Sequence, residues 1–453
     1  MTGSDFPVRH GAAMLGALVL AVVAAGGLSA AALAQSSGGG GASASPSGPP
    51  TAPVLPEVQR AFDETLAWLQ PLAQSDDVET RRDALYNLGW LYEHAPDRTI
   101  QKQSVDWYNK AEALGSPEAA FRIGVYKING WFVPRDQADG LARLKNAANA
   151  GNMAAVTMLG RCSLSGNCGV PADSFEAFSD LFKASLNGYS DGSWRLGLYY
   201  RDGNGGKPNG DAAVEAFETA ARQGFVDGYN AIGLLYEAGK VVAKDVAKAR
   251  YYYEYGEALR DPYAAFDLAI GYKNGIFGTV DIPAAIRHFE RAAVLGDIDG
   301  YVSIGVLYDD GKGVPQDYVK ARSYYDQAAA LGSGAAMSNI GDLYVFGHGT
   351  AVDGNLAEQW FKWAIAQGEA AAHCELGGMY EFGRGRTIDY TTALGWYQKG
   401  ADLGQGACEF ALGRLFELGH GVTANRATAM SWYAKAKAHG NADADTALKR
   451  LGG

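Results

Sequence analysis

The sequence is short of cysteine, with four in 453 residues, and short of positive charge, with 39 Lys and Arg against 50 Asp and Glu. It also lacks the compact motifs that assemble common catalytic sites: no H-E-x-x-H, P-loop, G-x-G-x-x-G or Ser-x-x-Lys occurs. The missing motifs leave no reason to expect a metal or any other cofactor. A net charge of −11 without a basic stripe makes nucleic acid and anionic membrane surfaces poor partners. Four cysteines allow three disulfide pairings or none. Apolar residues at 47% and aromatics at 11% still argue against general disorder.

The N-terminus reads as a targeting segment. Arg9 precedes an apolar run from Gly11 to Leu28, and Ala32-Leu33-Ala34 before Gln35 has the small-residue pattern of a cleavage site. Cleavage after Ala34 would give a periplasmic or secreted chain. The alternative is an uncleaved anchor, because 18 apolar residues are at the lower limit for spanning a bilayer. A membrane contact is therefore expected only through this segment, residues 1–34. Losing it removes Asp5 and Arg9, one charge of each sign, so the remainder keeps its net charge. Residues 35–56 are Gly/Ser-rich and then Pro-rich, a tether that cannot pack a core.

What the chain has in abundance is a period. In Tyr301–Gly332, Ile304, Leu307 and Tyr308 recur at helical spacing, as do Ala321, Tyr324, Tyr325, Ala328 and Ala329. Gly311 and Gly313 can stop the first helix, Asp317 can cap the second, and Gly332 can end it. Such a pair cannot bury its apolar faces alone and must stack on copies of itself. The copies follow a small pivot residue: Gly89, Gly124, Gly160, Gly197, Gly233, Ala269, Gly305, Gly341, Gly377 and Gly413, at steps of 35, 36, 37 and then 36 six times. Three residues after the pivot, eight of the ten copies carry an aromatic. These aromatics, with pairs such as Trp396-Tyr397, read as repeat core. The expected fold is all-α, a right-handed α/α superhelical solenoid of about ten helix-turn-helix repeats over residues 84–440. An N-terminal capping helix within 57–83 and a C-terminal capping segment, 441–453, complete it.

The phased pattern Ala-x₃-Leu-Gly-x-x-Tyr-x-x-Gly-x-Gly-Val, then Asp, Ala, Trp/Tyr-Tyr, Ala-Ala and Gly, resembles the Sel1-like repeat family, relatives of tetratricopeptide repeats. The resemblance implies a superhelix whose first helices line a concave, protein-binding surface. Members serve as adaptors, envelope regulators, exopolysaccharide scaffolds and host-interaction factors, so it does not choose a pathway.

Gly188-Tyr189-Ser190-Asp191-Gly192 matches a G-x-S-x-G elbow, but that motif needs a preceding strand and here both neighbours are helices. His348 and His420 share a turn position two repeats apart, roughly 20 Å by interhelix spacing, and cannot share a metal. His94, His288, His373 and His439 are scattered one per repeat. Cys162 and Cys168 are a candidate disulfide within repeat three, at a spacing unlike that of the family's cysteine-rich branch. Cys374 and Cys408 occupy small or apolar positions and read as buried thiols.

Specificity should then reside where the copies differ, two residues before the pivot and one after it. Basic residues gather in repeats two to four, at Arg122, Arg161 and Arg195. Leu198, Leu234 and Ile270 form an apolar centre, and Asp267, Asp342 and Glu375 an acidic end. Two accounts are open: charges that simply solvate exposed helices, or a groove that orients an extended protein segment by charge. The leading function is a non-enzymatic exported scaffold or adaptor for a cell-envelope protein. The first alternative is an exopolysaccharide or peptidoglycan accessory protein using aromatics such as Trp90 and Trp131. The second is a hydrolase of the cysteine-rich branch.

Overall fold

The computed structural model describes residues 56–452, so the expected signal segment and nearly all of the tether lie outside the described residues. Among the described residues there are 22 α-helices, one short 3-10 turn and no strand. The chain divides into two compact units, residues up to 271 with 276–278, and residues 272–275 with 279 onward. The first unit begins with helix Pro56–Leu72 and carries repeats one to five and most of the first helix of repeat six, Pro262–Asn274. The second carries the second helix of repeat six, Ile282–Leu295, repeats seven to ten, and a closing helix, Ala444–Arg450. The expected boundary at residue 84 falls inside helix Val78–Glu93, the first helix of repeat one.

Repeat seven shows how local chemistry makes the hairpin. Its first helix, Asp299–Asp310, ends on Gly311 at φ 67°, the left-handed conformation that glycine takes without steric cost. Its second, Tyr318–Ala330, starts at Asp317, whose carboxylate accepts from the Val319 and Lys320 N–H groups at 3.1 and 3.0 Å. The Asp317 N–H in turn donates to the Tyr308 carbonyl at 2.9 Å, tying the second helix to the end of the first. The same tie recurs in the other unit from Asp245 to Tyr236 and from Asn209 to Tyr200.

The pivot is explained by one ring. A Cβ built on Gly305 would lie 2.3 Å from Tyr325 Cε1, and Gly233 and Gly377 face Tyr253 and Tyr397 in the same way. The two helices approach so closely because the ring lies on bare backbone. Tyr325 is fully buried, a burial that stabilises by about 1.5–3 kcal/mol. Its hydroxyl donates to Asp309, four residues after the pivot. Tyr108 to Glu93, Tyr253 to Glu237, Tyr397 to Glu381 and Tyr433 to Glu417 repeat the bond at 2.5–2.9 Å. Where the ring is Phe217, Phe289 or Phe361, the facing position holds Arg201, Lys273 or Val345 instead. A buried hydroxyl needs an acceptor and a phenyl ring does not.

Neighbouring repeats are tied by polar contacts as well as by alanine packing. Tyr252 donates to Glu218 at 2.8 Å in one unit, and Tyr324 to Glu290 at 2.7 Å in the other, each reaching the second helix of the preceding repeat.

Candidate protein-binding face

The arginines of repeats two to four lie on their first helices, half-buried, and are not a bare basic strip. Arg122 is 3.5 Å from Glu93. Burial works against its charge, but Glu93 and nearby tyrosines outweigh it and hold the proton more firmly than usual. Arg195 is paired with Asp191, one turn earlier, at 2.9 Å. Burial and the neighbouring Arg195 push Arg161 down, against Asp191. Acids within the same surface thus answer the charges of Arg122 and Arg195, which weakens steering by charge at this end.

The apolar centre is more open. Leu234 is 46% exposed, while Leu198 and Ile270 are half-buried. Beside Leu234, a recess of about 520 Å³ is walled by Trp194, Phe217, Ala231 and Leu235, with Asp227 and Asn230 among its polar groups. The carboxylates around it carry an energetic burden. Burial pushes Asp227 up. Asp267 is pushed up to about 6 by burial, with Glu237 adding to the effect and a hydrogen bond from Asn230 opposing it. Asp261, fully buried, is pushed up to about 7 by burial and by the charge of Asp227, although Ala264 and Tyr263 N–H groups donate to it.

In the other unit, Asp342 is pushed up to about 7, by burial first and then by Glu375 and Asp309, with Arg384 opposing. Burial likewise raises Glu375. Sequence reasoning missed a third column, five residues after the pivot. Phe346, Phe382 and Leu418 are 47%, 47% and 54% exposed there, and the Arg384 guanidinium lies 5.1 and 5.0 Å from the two phenyl rings. The signal was available: this position lies one helical turn beyond the position after the pivot, on the same face.

All four cysteines are bridged. Cys162–Cys168 forms the candidate bridge within repeat three, with Cα atoms 5.6 Å apart. The reading of Cys374 and Cys408 as thiols is corrected, because they form a second disulfide joining the first helices of repeats nine and ten. Cys408 stands where other copies have Ala or Gly against the preceding repeat, and that position faces Cys374 with Cα atoms 5.1 Å apart. Gly400, at a position usually alanine, leaves the room: a Cβ there would meet Cys408 Sγ at 2.2 Å.

The histidines are structural in their surroundings. His348 stacks on Tyr318 and His420 on Tyr390, at ring distances of 4.4 and 4.3 Å. His94 stacks on Trp90, which occupies that ring face, whereas Trp131 is 47% exposed. Ser190 opens helix Ser190–Asp202 after helix Ser174–Leu186, so the elbow-like string joins two helices. Among the described residues no group of His, Cys, Asp and Glu is arranged to hold a metal, and no helix is long and apolar enough to cross a membrane.

The family comparison agrees with this architecture. The Sel1 repeat model matches ten consecutive segments, from 82–116 to 406–441. An uncharacterized protein of Neisseria meningitidis serogroup B is 28% identical over 195 residues, 42% of this chain and 38% of that relative, so the match spans well under half of the relative's length. Among solved structures, a protective antigen present in uropathogenic Escherichia coli strains, displaying an SLR fold, is 26% identical over 86% of this chain and 83% of its own, at a TM-score of 0.47. A Sel1 repeat protein from Oxalobacter formigenes is 23% identical over 74% of this chain and 94% of its own, at 0.49.

Proposed function

This chain belongs to the Sel1 repeat family, and from that premise we propose that it is an exported, non-enzymatic scaffold that captures a cell-envelope protein on the first-helix face of its repeats. The observation that carries the proposal is the recess beside the exposed Leu234, an apolar wall with one unsatisfied acceptor, Asn230 Oδ1, on the face that varies between copies. Large apolar side chains on a soluble surface mark contact sites when they cluster around a cavity. Export is supported by the apolar N-terminal segment with its small-residue site, and by the pairing of all four cysteines, a state that persists in oxidising compartments. Charge has a smaller part than the sequence implied, since Glu93 and Asp191 answer two of the arginines. A photocrosslinking residue at position 234, used in the envelope and followed by identification of the captured protein, tests the reading. Sedimentation with cell-wall sacculi separates it from a polysaccharide role.

A further inference from the structure

We propose that the recess between the first helices of repeats four to six is a side-chain pocket for an arginine on the partner segment. Its apolar walls would take the alkyl stem and the guanidinium face, and its buried acceptors the N–H groups. The proposal rests on the reading of this face as protein-binding and names the chemistry it selects.

Three observations meet there. The first is an excess of acceptors. The Asn230 side chain, nine-tenths buried and lining the recess, is hydrogen-bonded to Asp267 while its Oδ1 has no partner. Asp261 Oδ2, on the carboxylate that caps the adjoining helix, is likewise buried and unpartnered, and lies outside the lining, next to the lining residue Tyr263. An unmade hydrogen bond in the wall is a standing cost that a donor-rich guest removes at Asn230.

The second is charge. Asp227 lines the recess from the first helix of repeat five, its charge felt by Asp261 at the start of the next first helix, and the charge of Glu237 is felt by Asp267 in the body of that helix. Tyr253, on the second helix of repeat five, gives its hydroxyl to Glu237 at 2.9 Å. In repeat four, Arg201 is closed on Asp202 at 2.7 Å, and in the turn of repeat five Lys240 lies exposed at the rim. No cation opposes the burial of Asp227, Asp261 or Asp267.

The third is shape. Trp194, half-buried in the wall and backed by the buried Phe217, supplies aromatic surface on which a planar, weakly hydrated guanidinium stacks better than an ammonium, and arginine's five N–H groups can satisfy separated acceptors together.

A guest cation would draw these carboxylates into their charged form, so capture releases protons and strengthens as pH rises. A group titrating near 6 is only about one-tenth ionised at pH 5, which sets an expected loss of about tenfold in affinity between pH 8 and pH 5.

The experiment titrates N-acetyl-arginine methylamide into the full chain by calorimetry or ligand-observed NMR. The citrulline analogue, neutral and of nearly the same shape, is the control. Expected are binding at pH 8, about tenfold weaker binding at pH 5, and at least tenfold weaker binding of the citrulline compound. Asp227→Asn and Asn230→Ala should each lose at least fivefold, while Asp211→Asn, an exposed acid on the second helix of repeat four, should change nothing. Equal binding of arginine and citrulline compounds overturns the pocket, without dependence on any variant's folding. So does a lack of effect of Asp227→Asn. Crosslinking from position 234 reads the wider proposal separately: capture that survives Asp227→Asn and Asn230→Ala refutes the pocket alone. Arginine binding without any captured protein supports the pocket and refutes the scaffold.

Discussion

Asp261→Asn is predicted to stabilise the protein, and only above the acid range. Asp261 is fully buried; one oxygen accepts the Tyr263 N–H at 2.9 Å and the other accepts nothing. Burial, then Asp227, pushes its carboxyl up to about 7, above the value near 3.9 of an unfolded aspartate. The folded state therefore holds this proton more tightly than the unfolded chain. The stability this provides is complete below about pH 4 and is lost as pH rises through about 7. At about 1.4 kcal/mol per tenfold change in affinity, that difference sets a ceiling of about 4 kcal/mol. Asparagine keeps the capping oxygen and has no charge to bury, so about 2–4 kcal/mol should be regained at pH 8 and little at pH 4. Urea unfolding of wild type and variant at both pH values, followed by circular dichroism, is the assay. A variant less stable at pH 8, or a difference independent of pH, would refute the reasoning by showing that something in the fold stabilises the charged carboxylate.

The pairing of Tyr325 with Asp309 makes a second prediction. Tyr325→Phe should cost about 1–2 kcal/mol by leaving Asp309 without its donor, and adding Asp309→Val, the combination repeat eight carries as Phe361 and Val345, should recover most of it. Strict additivity in the double-mutant cycle would mean that the two groups do not interact. The disulfides make a third. The native protein should offer no thiol to alkylation, and replacing Cys374 and Cys408 by alanine should cost about 4 kcal/mol on the loop-closure argument, against about 2 kcal/mol for Cys162 and Cys168. Unfolding curves and thiol counts with and without reductant check both.

The repeat was legible because its marks are local. Gly311 and Asp317 act on their own helix ends, and a 36-residue period needs no tertiary knowledge to be counted. The relation between ring type and facing acid also lies in the sequence, but it emerges only after Tyr325 is seen on Gly305 with its hydroxyl at Asp309. The second disulfide was missed for the same reason. Cys374 and Cys408 are 34 residues apart and meet only through the stacking of one repeat on the next, whereas the family resemblance directs attention to bridges inside a repeat. The candidate face was read as two columns of side chains. What the columns could not reveal is neutralisation from neighbouring turns and repeats: Glu93 beside Arg122, Asp191 beside Arg195, and, in the opposite sense, Glu375 reinforcing the burden on Asp342.

The central claim is that the first-helix face captures a protein while the second-helix face does not. A photocrosslinking residue at position 234, 46% exposed on a first helix, should yield one specific adduct in the envelope. The same residue at position 319, 70% exposed on a second helix, should yield none. Adducts at 319 and not at 234, or at neither, would contradict the account.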